Sequence, residues 1–452
     1  MAAWRDPTTG AQGTGAFGWA LAAYALVATS LSISEGHDQP VADVLVFVAV
    51  AAVGLGLWSA RRGDAPWPFA HVLAWGVALA SVVCAGVLAP GVYLQSRTPL
   101  LPFFAMNALA AGVVGSYGFD LLATARVPAW VRWARPLALL ALGLGLAAWA
   151  LTACPAPRID VWALDQQAAD AMLHGRRVYG HGAVAALDTY DLKRVIDTYD
   201  YPPLTLLLST AAFALTHDTR WAQVAAFATG AALLRVFTLR ASGSRPLADL
   251  LMATALFHPT AMFVLQQAWS EPLAVPLLGA FATCIRAGRT RWAAIALGLL
   301  CALKQHLLLY LPALALLPGV GATGVATAIG VVVATYAPFV WVAPRGVWES
   351  LVLHHLHNPF RPDSLSLPAM LSDAGIFLPS WLGFAATGAS LAVLKGMPRA
   401  FGPLLLAASL QFLLFYVLGR QAFCNYYYLL GPTWLFAAAA LVRPAAPPAE
   451  VL

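Results

Sequence analysis

Arg158-Ile-Asp-Val-Trp-Ala-Leu-Asp-Gln-Gln-Ala-Ala-Asp-Ala-Met-Leu-His-Gly175, running on to Tyr201-Pro-Pro-Leu204, is the longest polar interruption in an otherwise apolar chain. It opens directly after a hydrophobic segment that ends near Cys154. Its first carboxylate, Asp160, therefore falls where a membrane would end and water begin. Val161, Leu164, Ala168 and Met172 recur at helical spacing, while Asp165, Gln166, Asp170 and His174 fall on other faces. Gly175 supplies a C-terminal stop. The stretch reads as a helix lying flat in the membrane interface.

Everything on either side is oil. The chain has 452 residues, is 60% hydrophobic and only 10% charged, with a mean hydropathy of +0.73. A soluble domain of this size exposes far more charge, so the fold class is an all-α polytopic membrane protein. The net charge of +6 belongs mostly to short loops, where Lys and Arg report orientation rather than nucleic-acid binding. Five cysteines, Cys84, Cys154, Cys284, Cys301 and Cys424, show no CxxC or metal spacing. Neither a disulfide nor a metal is expected, and no cofactor motif is present. The apolar run from Ala16 to Leu31 lacks a small-residue cleavage site and reads as a retained first span.

Candidate spans before the loop are Gly15–Ser34, Val41–Ala60, Pro68–Leu88, Pro99–Ala125 and Arg135–Cys154. Those after it are Tyr201–Thr216, Arg220–Leu239, Pro246–Gln266, Glu271–Ile285, Trp292–Leu303, His306–Leu317, Gly321–Val342, Gly375–Leu394, Phe401–Leu418 and Phe423–Val442. Arg61, Arg62, Arg126, Arg132, Arg135, Arg286, Arg289, Arg291, Lys395, Arg399 and Arg443 mark the cytoplasmic side. If Tyr201–Thr216 and Arg220–Leu239 both cross, Arg240 and Arg245 land outside. The first of these is short and opens on two prolines, so it either spans or re-enters. Re-entry leaves about fourteen crossings with both termini inside. Three units follow: residues 1–134 as a four-helix extension, 135–443 as the main transmembrane unit with its loop at 158–200, and 444–452 as a flexible Pro/Ala tail.

Working outward from those anchors places four more polar stretches on the face of the loop. They are Gln266-Gln-Ala-Trp-Ser-Glu271, Lys304-Gln-His306, His354 to Ser366, and Arg420 to Tyr428. Asp160, partly desolvated at the boundary, would have a raised pKa and could take a proton from an attacking hydroxyl; equally it could end a helix or pair with Arg158. Lys304 interrupts an apolar run, which is costly and usually functional. It either holds a phosphate, as Arg361 or Arg420 could bidentately, or snorkels to the interface. Taken with Gln305 and His306, the first reading is favoured. Gln267, Glu271 and Asn425, beside Trp269 and Tyr426 to Tyr428, suit sugar recognition, though an interfacial aromatic belt explains the rings as well. The spacing of His354, His355 and His357 is no metal pattern; one of them, His357, is taken as a substrate contact. Asp188-Thr-Tyr-Asp191 and its near copy Asp197-Thr-Tyr-Asp200, with Lys193 and Arg194 between, read as a solvated helical face.

The pattern resembles the GT-C glycosyltransferases and, more narrowly, the family 87 mannosyltransferase-like membrane proteins. The resemblance rests on Asp160 just after a span, Gly175-Arg-Arg-Val-Tyr179, Tyr201-Pro-Pro-Leu204, Ser270-Glu-Pro-Leu273, Gly298-Leu-Leu-Cys-Ala-Leu-Lys-Gln305, Arg361-Pro-Asp-Ser-Leu-Ser366 and Asn425-Tyr-Tyr427. It covers roughly residues 135 to 442. It implies a GT-C-like bundle in the inner membrane, with an active site facing outside. It further implies a polyprenyl-phosphate-linked sugar donor, a lipid, glycan or protein acceptor, and an inverting single displacement. Asp160 then stands where the family's first-loop base stands, and Lys304 where a group near the donor phosphate stands. The four preceding spans depart from the family, and the sequence assigns them no chemistry. A transporter or flippase of lipid-linked saccharides is the main rival, predicting polar residues strung through the membrane and an inverted repeat. A non-catalytic assembly partner is the third reading.

Overall fold

The computed structural model describes residues 11–12, 14–63, 69–88, 91–96, 98–122, 127–185, 187–189 and 194–444. The chain begins with two helical hairpins. α1 (Gly15–Ser34) and α2 (Pro40–Arg62) form the first, α3 (Ala70–Val87) and α4 (Leu101–Leu122) the second. α5 (Ala129–Ala153) leads into α6 (Asp160–Leu173), which is followed by α7 (Pro203–Thr216), α8 (Arg220–Ser242), α9 (Arg245–Leu256), α10 (Ala261–Gln266), α11 (Glu271–Arg286) and α12 (Thr290–Leu303). A 3₁₀ turn at Gln305–Tyr310 precedes α13 (Leu311–Leu314), α14 (Gly321–Val342) and α15 (Pro344–Trp348). The chain closes with α16 (His354–Leu356), α17 (Leu367–Ser372), α18 (Leu382–Ser390), α19 (Phe401–Val417) and α20 (Cys424–Leu441).

Seven of these helices, among the described residues, are long and apolar enough to cross a membrane: α1 to α5, α8 and α14. Their outer faces carry large apolar side chains such as Phe119, Trp130, Trp341 and Val342, each more than 70% exposed. Only lipid tolerates such a surface, because in water it would be an aggregation site. The protein is a helical, multi-pass membrane protein. α1 packs on α20 and α2 on α19, so one apolar core runs from Phe17 and Leu21 through Phe257 and Phe281 to Trp434 and Phe436.

Several expected elements differ. The span expected over Pro246–Gln266 breaks at His258-Pro259, since a proline ring excludes helical backbone just before it; the chain resumes as α10. The span expected over His306–Leu317 is a 3₁₀ turn and a single helical turn carrying Pro312. Within Gly375–Leu394, regular helix is confined to α18. The helical face expected at Asp188–Asp191 is instead one arm of a hairpin, β1 (Leu187–Thr189) pairing with β2 (Arg194–Ile196). Tyr190, Asp191 and Lys193 lie outside the described residues, as does the 445–452 part of the tail, while Arg443 and Pro444 pair with Ala11 and Gln12. In α6, Asp165 is not on a solvated face. It is buried and accepts a hydrogen bond from Tyr199 Oη at 2.9 Å. Burial pushes its carboxyl up to about 7. Asp165 sits in a second small core, built from Leu164, Ala168, Tyr179 and Tyr199, that knits the loop together.

The basic loops gather at one end of the bundle. Arg61 donates to the carbonyls of Val393 and Lys395, Arg286 to that of Arg240, and the Arg245 guanidinium lies over Trp133. The other end collects α6 and the polar stretches. α7 has both its ends there. At its start Thr205 Oγ1 donates to Leu303 O at 2.7 Å. At its finish Gln166 of α6 bonds His217 O and Thr219 N. α7 thus lies along α6 without crossing, and α8 alone carries the chain from Cys154 to Arg240. Arg240 and Arg245 consequently join the other basic loops.

Arg220 fixes that start. Its side chain is wholly buried, chelates Asp218 and donates to Cys154 O at 2.8 Å, satisfying a carbonyl just past the end of α5. Arg220→Leu would strand Asp218 and that carbonyl. The expected loss is roughly 2–4 kcal/mol, read as a lowered unfolding midpoint in detergent, with partial recovery in the Asp218→Asn/Arg220→Leu pair.

Candidate active site

Five stretches far apart in sequence meet around one cavity of about 660 Å³ at the end of the bundle opposite the basic loops. Asp160 is the first residue of α6, and its Oδ1 accepts from Val161 N at 2.8 Å. It is half-buried and has no ion-pair partner among the described residues. Burial raises its carboxyl above the ordinary aspartate range, and the neighbouring Asp200 charge adds to that. The alternative pairing with Arg158 is not made. Arg158 lines the same cavity, exposed, with no hydrogen-bond or ion-pair partner among the described residues.

The floor is a buried ion pair. α12 stops at Leu303 and Lys304 is extended (φ −153°, ψ 143°), which turns its side chain across to the first residue of α11. Lys304 Nζ lies 2.5 Å from Glu271 Oε1, which also accepts from Asn425 Nδ2 at 2.9 Å. The ammonium sits 5.2 Å from the Tyr201 ring centroid and 5.4 Å from that of Tyr426. Glu271 occupies a helix N-terminus, where backbone N–H groups favour an anion. Its Oε2 is buried without a partner among the described residues. Lys304 is thus neither free nor snorkelled: it is held under the cavity with its charge matched.

Of the residues singled out in the sequence, Asp160, Tyr201, Gln267, Lys304, Gln305, Arg361 and Asn425 line the cavity together. Gln305 also donates to Leu351 O at 3.3 Å. Gln267 and Trp269 flank Ala268, a non-glycine residue at φ +58°, a strained turn that aims both side chains. Arg361 chelates Asp363 (2.8 and 2.6 Å) and stacks on Phe423, and its guanidinium holds the Asp363 carboxyl below the usual range. The other four are not on the wall. Glu271 stands behind Lys304. His306 is packed among Phe412, Tyr416 and Tyr426. His357 is exposed and does not line the cavity. Arg420 donates to Asn358 O at 2.8 Å and braces the loop that carries Arg361.

Other residues take their places. His354 and His355, rather than His357, face the cavity, and both touch Asp200: His354 Nε2 is 3.6 Å from Oδ2, His355 Nε2 3.1 Å from the backbone oxygen. Asp200 was read as part of a solvated face, yet it lines the cavity and its Oδ1 is buried without a partner among the described residues. Its position beside Tyr201-Pro-Pro was the signal. Glu35 and His37, from the turn between α1 and α2, and Tyr93, from the connection after α3, complete the rim. Alternation from Arg61 and Arg62 puts residues 35–39 on the loop's face, so this too was within reach of the sequence. The turn is clamped in place: Leu365 N donates to Gly36 O, Asp38 N to Asp363 O, and Gly36 (φ +84°) abuts the Cys424 backbone so closely that a Cβ would lie 2.0 Å from its nitrogen.

Acid, amide and aromatic groups around one opening can hold a polyhydroxylated group by its hydroxyls and its apolar face, with Asp160 able to receive a proton. Two outcomes are expected. Asp160, with its raised pKa, should keep its proton to higher pH than Asp363, so carbodiimide labelling read by mass spectrometry should fade at higher pH for Asp160. Lys304→Met should leave Glu271 as an unmatched buried charge and cost roughly 3–5 kcal/mol of stability; adding Glu271→Gln should return most of it, by thermal unfolding in detergent. Set against family models, curated proteins and solved structures, the chain matches none of them.

Proposed function

We propose that this protein is an integral-membrane glycosyltransferase that moves a sugar from a polyprenyl-phosphate donor to an acceptor hydroxyl. In this reading the bundle is GT-C-like, crosses the inner membrane about fourteen times with help from shorter helices, and opens its cavity to the extracytoplasmic side. The basic loops then face the cytoplasm. The supporting observation is the grouping of Asp160 with residues from four other polar stretches around one cavity, its carboxylate half-buried and free of any ion pair among the described residues.

The step balances simply. The acceptor oxygen attacks the anomeric carbon and its proton passes to Asp160. The bond from that carbon to the phosphate oxygen breaks on the opposite face, inverting the centre, and polyprenyl phosphate departs with the electron pair. The leaving group is already a stable anion, so positioning and charge supply most of the acceleration. Arg158 is a cation at the wall with no ion-pair partner among the described residues, and Arg361 is a second one, shared with Asp363. Lys304 contributes through the field of its pair and by fixing Tyr201 and Tyr426, which with Trp269 offer faces to a sugar ring.

Asp160→Asn, reconstituted with a polyprenyl-phosphate sugar and a mixed acceptor extract, is the direct test. It should fold normally and transfer about 10²–10⁴-fold more slowly, the usual worth of a general base. Undiminished transfer by a folded variant would remove Asp160 from this role.

A further inference from the structure

The two hairpins that precede the loop of Asp160 send both their outer connections to the polar cavity, and both are pinned there. Gly36 (φ +84°) sits against the Cys424 backbone. Gly91 (φ +143°) lies so close to Gln266 that a Cβ would be 1.7 Å from its Oε1. Gln95 N then donates to Ala153 O at 3.1 Å, at the end of α5. These contacts carry Glu35, His37 and Tyr93 into the cavity wall, and the hairpins bring no lysine or arginine with them.

Glu35 is unusual on two counts. It closes α1 in the left-handed region (φ +53°), where glycine is the usual residue. Three non-glycines among the described residues take a positive φ, and two of them, Glu35 and Ala268, lie in or beside this wall. Strain of this kind gathers at functional sites. The Glu35 side chain is also exposed, with no hydrogen-bond or ion-pair partner among the described residues. Gly91 brings Tyr93 up to the turn that holds Gln267 and Trp269. Gln267 is only 3% exposed, lines the cavity, and has its Oε1 buried without a partner among the described residues. Trp269 stands edge-on to Phe263 at 5.3 Å, and both rings line the cavity with Tyr93.

The wall therefore offers two hydrogen-bond acceptors that lack donors, next to aromatic rings. Its ligand must supply the donors. The hydroxyls of a sugar supply several at once, and the C–H face of the ring packs on an aromatic side chain. An alcohol at the end of a hydrocarbon chain supplies one donor and then only apolar surface. A phosphodiester supplies none and is repelled by Glu35, so the charged group of the donor belongs with Arg158 and Arg361. We infer that Glu35, Tyr93 and Gln267 form the acceptor subsite, and that the acceptor presents a saccharide there. The donor sugar then lies deeper, against Tyr201 and Tyr426 over the Lys304 pair. This gives the first four helices a task, selecting the second substrate. That the bound saccharide is the acceptor rests on the transferase reading; that this wall binds a saccharide does not.

Saturation-transfer NMR on the protein in nanodiscs reads the subsite directly, with the methyl glycosides of glucose, galactose and mannose as probes. At least one should bind. Glu35→Gly suits the left-handed backbone, so it should melt no lower than the parent. It should nevertheless weaken glycoside binding about tenfold, the worth of a hydrogen bond to a charged group. Gln267→Met, which keeps the volume and removes the unpartnered oxygen, should weaken it as well. Asp170→Asn, on α6 but outside the cavity, should change nothing. A short-chain prenyl-phosphate mannose, farnesol and N-acetylserine amide should each leave the glycoside in place. Failure of all the glycosides to bind, binding that survives Glu35→Gly, or displacement by any of those three competitors would overturn the inference: the first competitor would put the glycoside in the donor's space, and the others would make the acceptor a lipid alcohol or a peptide. The readout needs no turnover, so its failure is distinguishable from failure of the Asp160→Asn assay.

Discussion

Two opposite charges buried under the polar cavity set the terms for this structure. Removing an ammonium and a carboxylate from water is expensive, and their attraction offsets that cost only when geometry is good and remaining polar atoms are served. Lys304 and Glu271 meet these terms with a close contact, a shared Asn425 and two aromatic faces over the cation. The pair requires that one helix end and another begin at the same depth. The end of α12, the start of α11, the entry of α7 at Tyr201 and the start of α20 are all drawn to one level by it.

That requirement explains why so many helices here are broken or short. A backbone that leaves helical geometry in lipid must find partners inside the protein. Three chain breaks do so at the cavity end: Leu303 O is bonded by Thr205, Cys154 O by Arg220, and Ala268 O by Gln223 at 2.8 Å. The side chains that satisfy these freed carbonyls also lock the loops bearing Asp160, Tyr201 and Gln267. Structural satisfaction and site geometry therefore come from the same contacts, and a pocket of irregular backbone can exist at the edge of an apolar bundle.

The first two helices belong to this arrangement as well. Their connecting turn lies against the loop of Arg361 and the N-terminus of α20, and Gly36 is there because no side chain fits between them. A substrate in the cavity would touch Glu35 and His37 as readily as Asp160.

Much was already written in the order of residues. Hydropathy alone made this a helical membrane protein, and the basic loops sorted the polar stretches onto one end, because charge in lipid is too costly to be placed at random. Asp160 at the start of a helix, Lys304 at a break and Tyr201 beside two prolines were legible for the same reason. What periodicity could not show was which polar group meets which. Asp165 has the spacing of a solvated face but lies buried against Tyr199; His357 has the same chemistry as His354 and His355 but does not line the cavity; Lys304 looked like a free cation and is matched by a carboxylate 33 positions earlier in the chain. Those pairings depend on distances across the bundle, and a one-dimensional pattern carries no information about distance between helices until packing has chosen their neighbours.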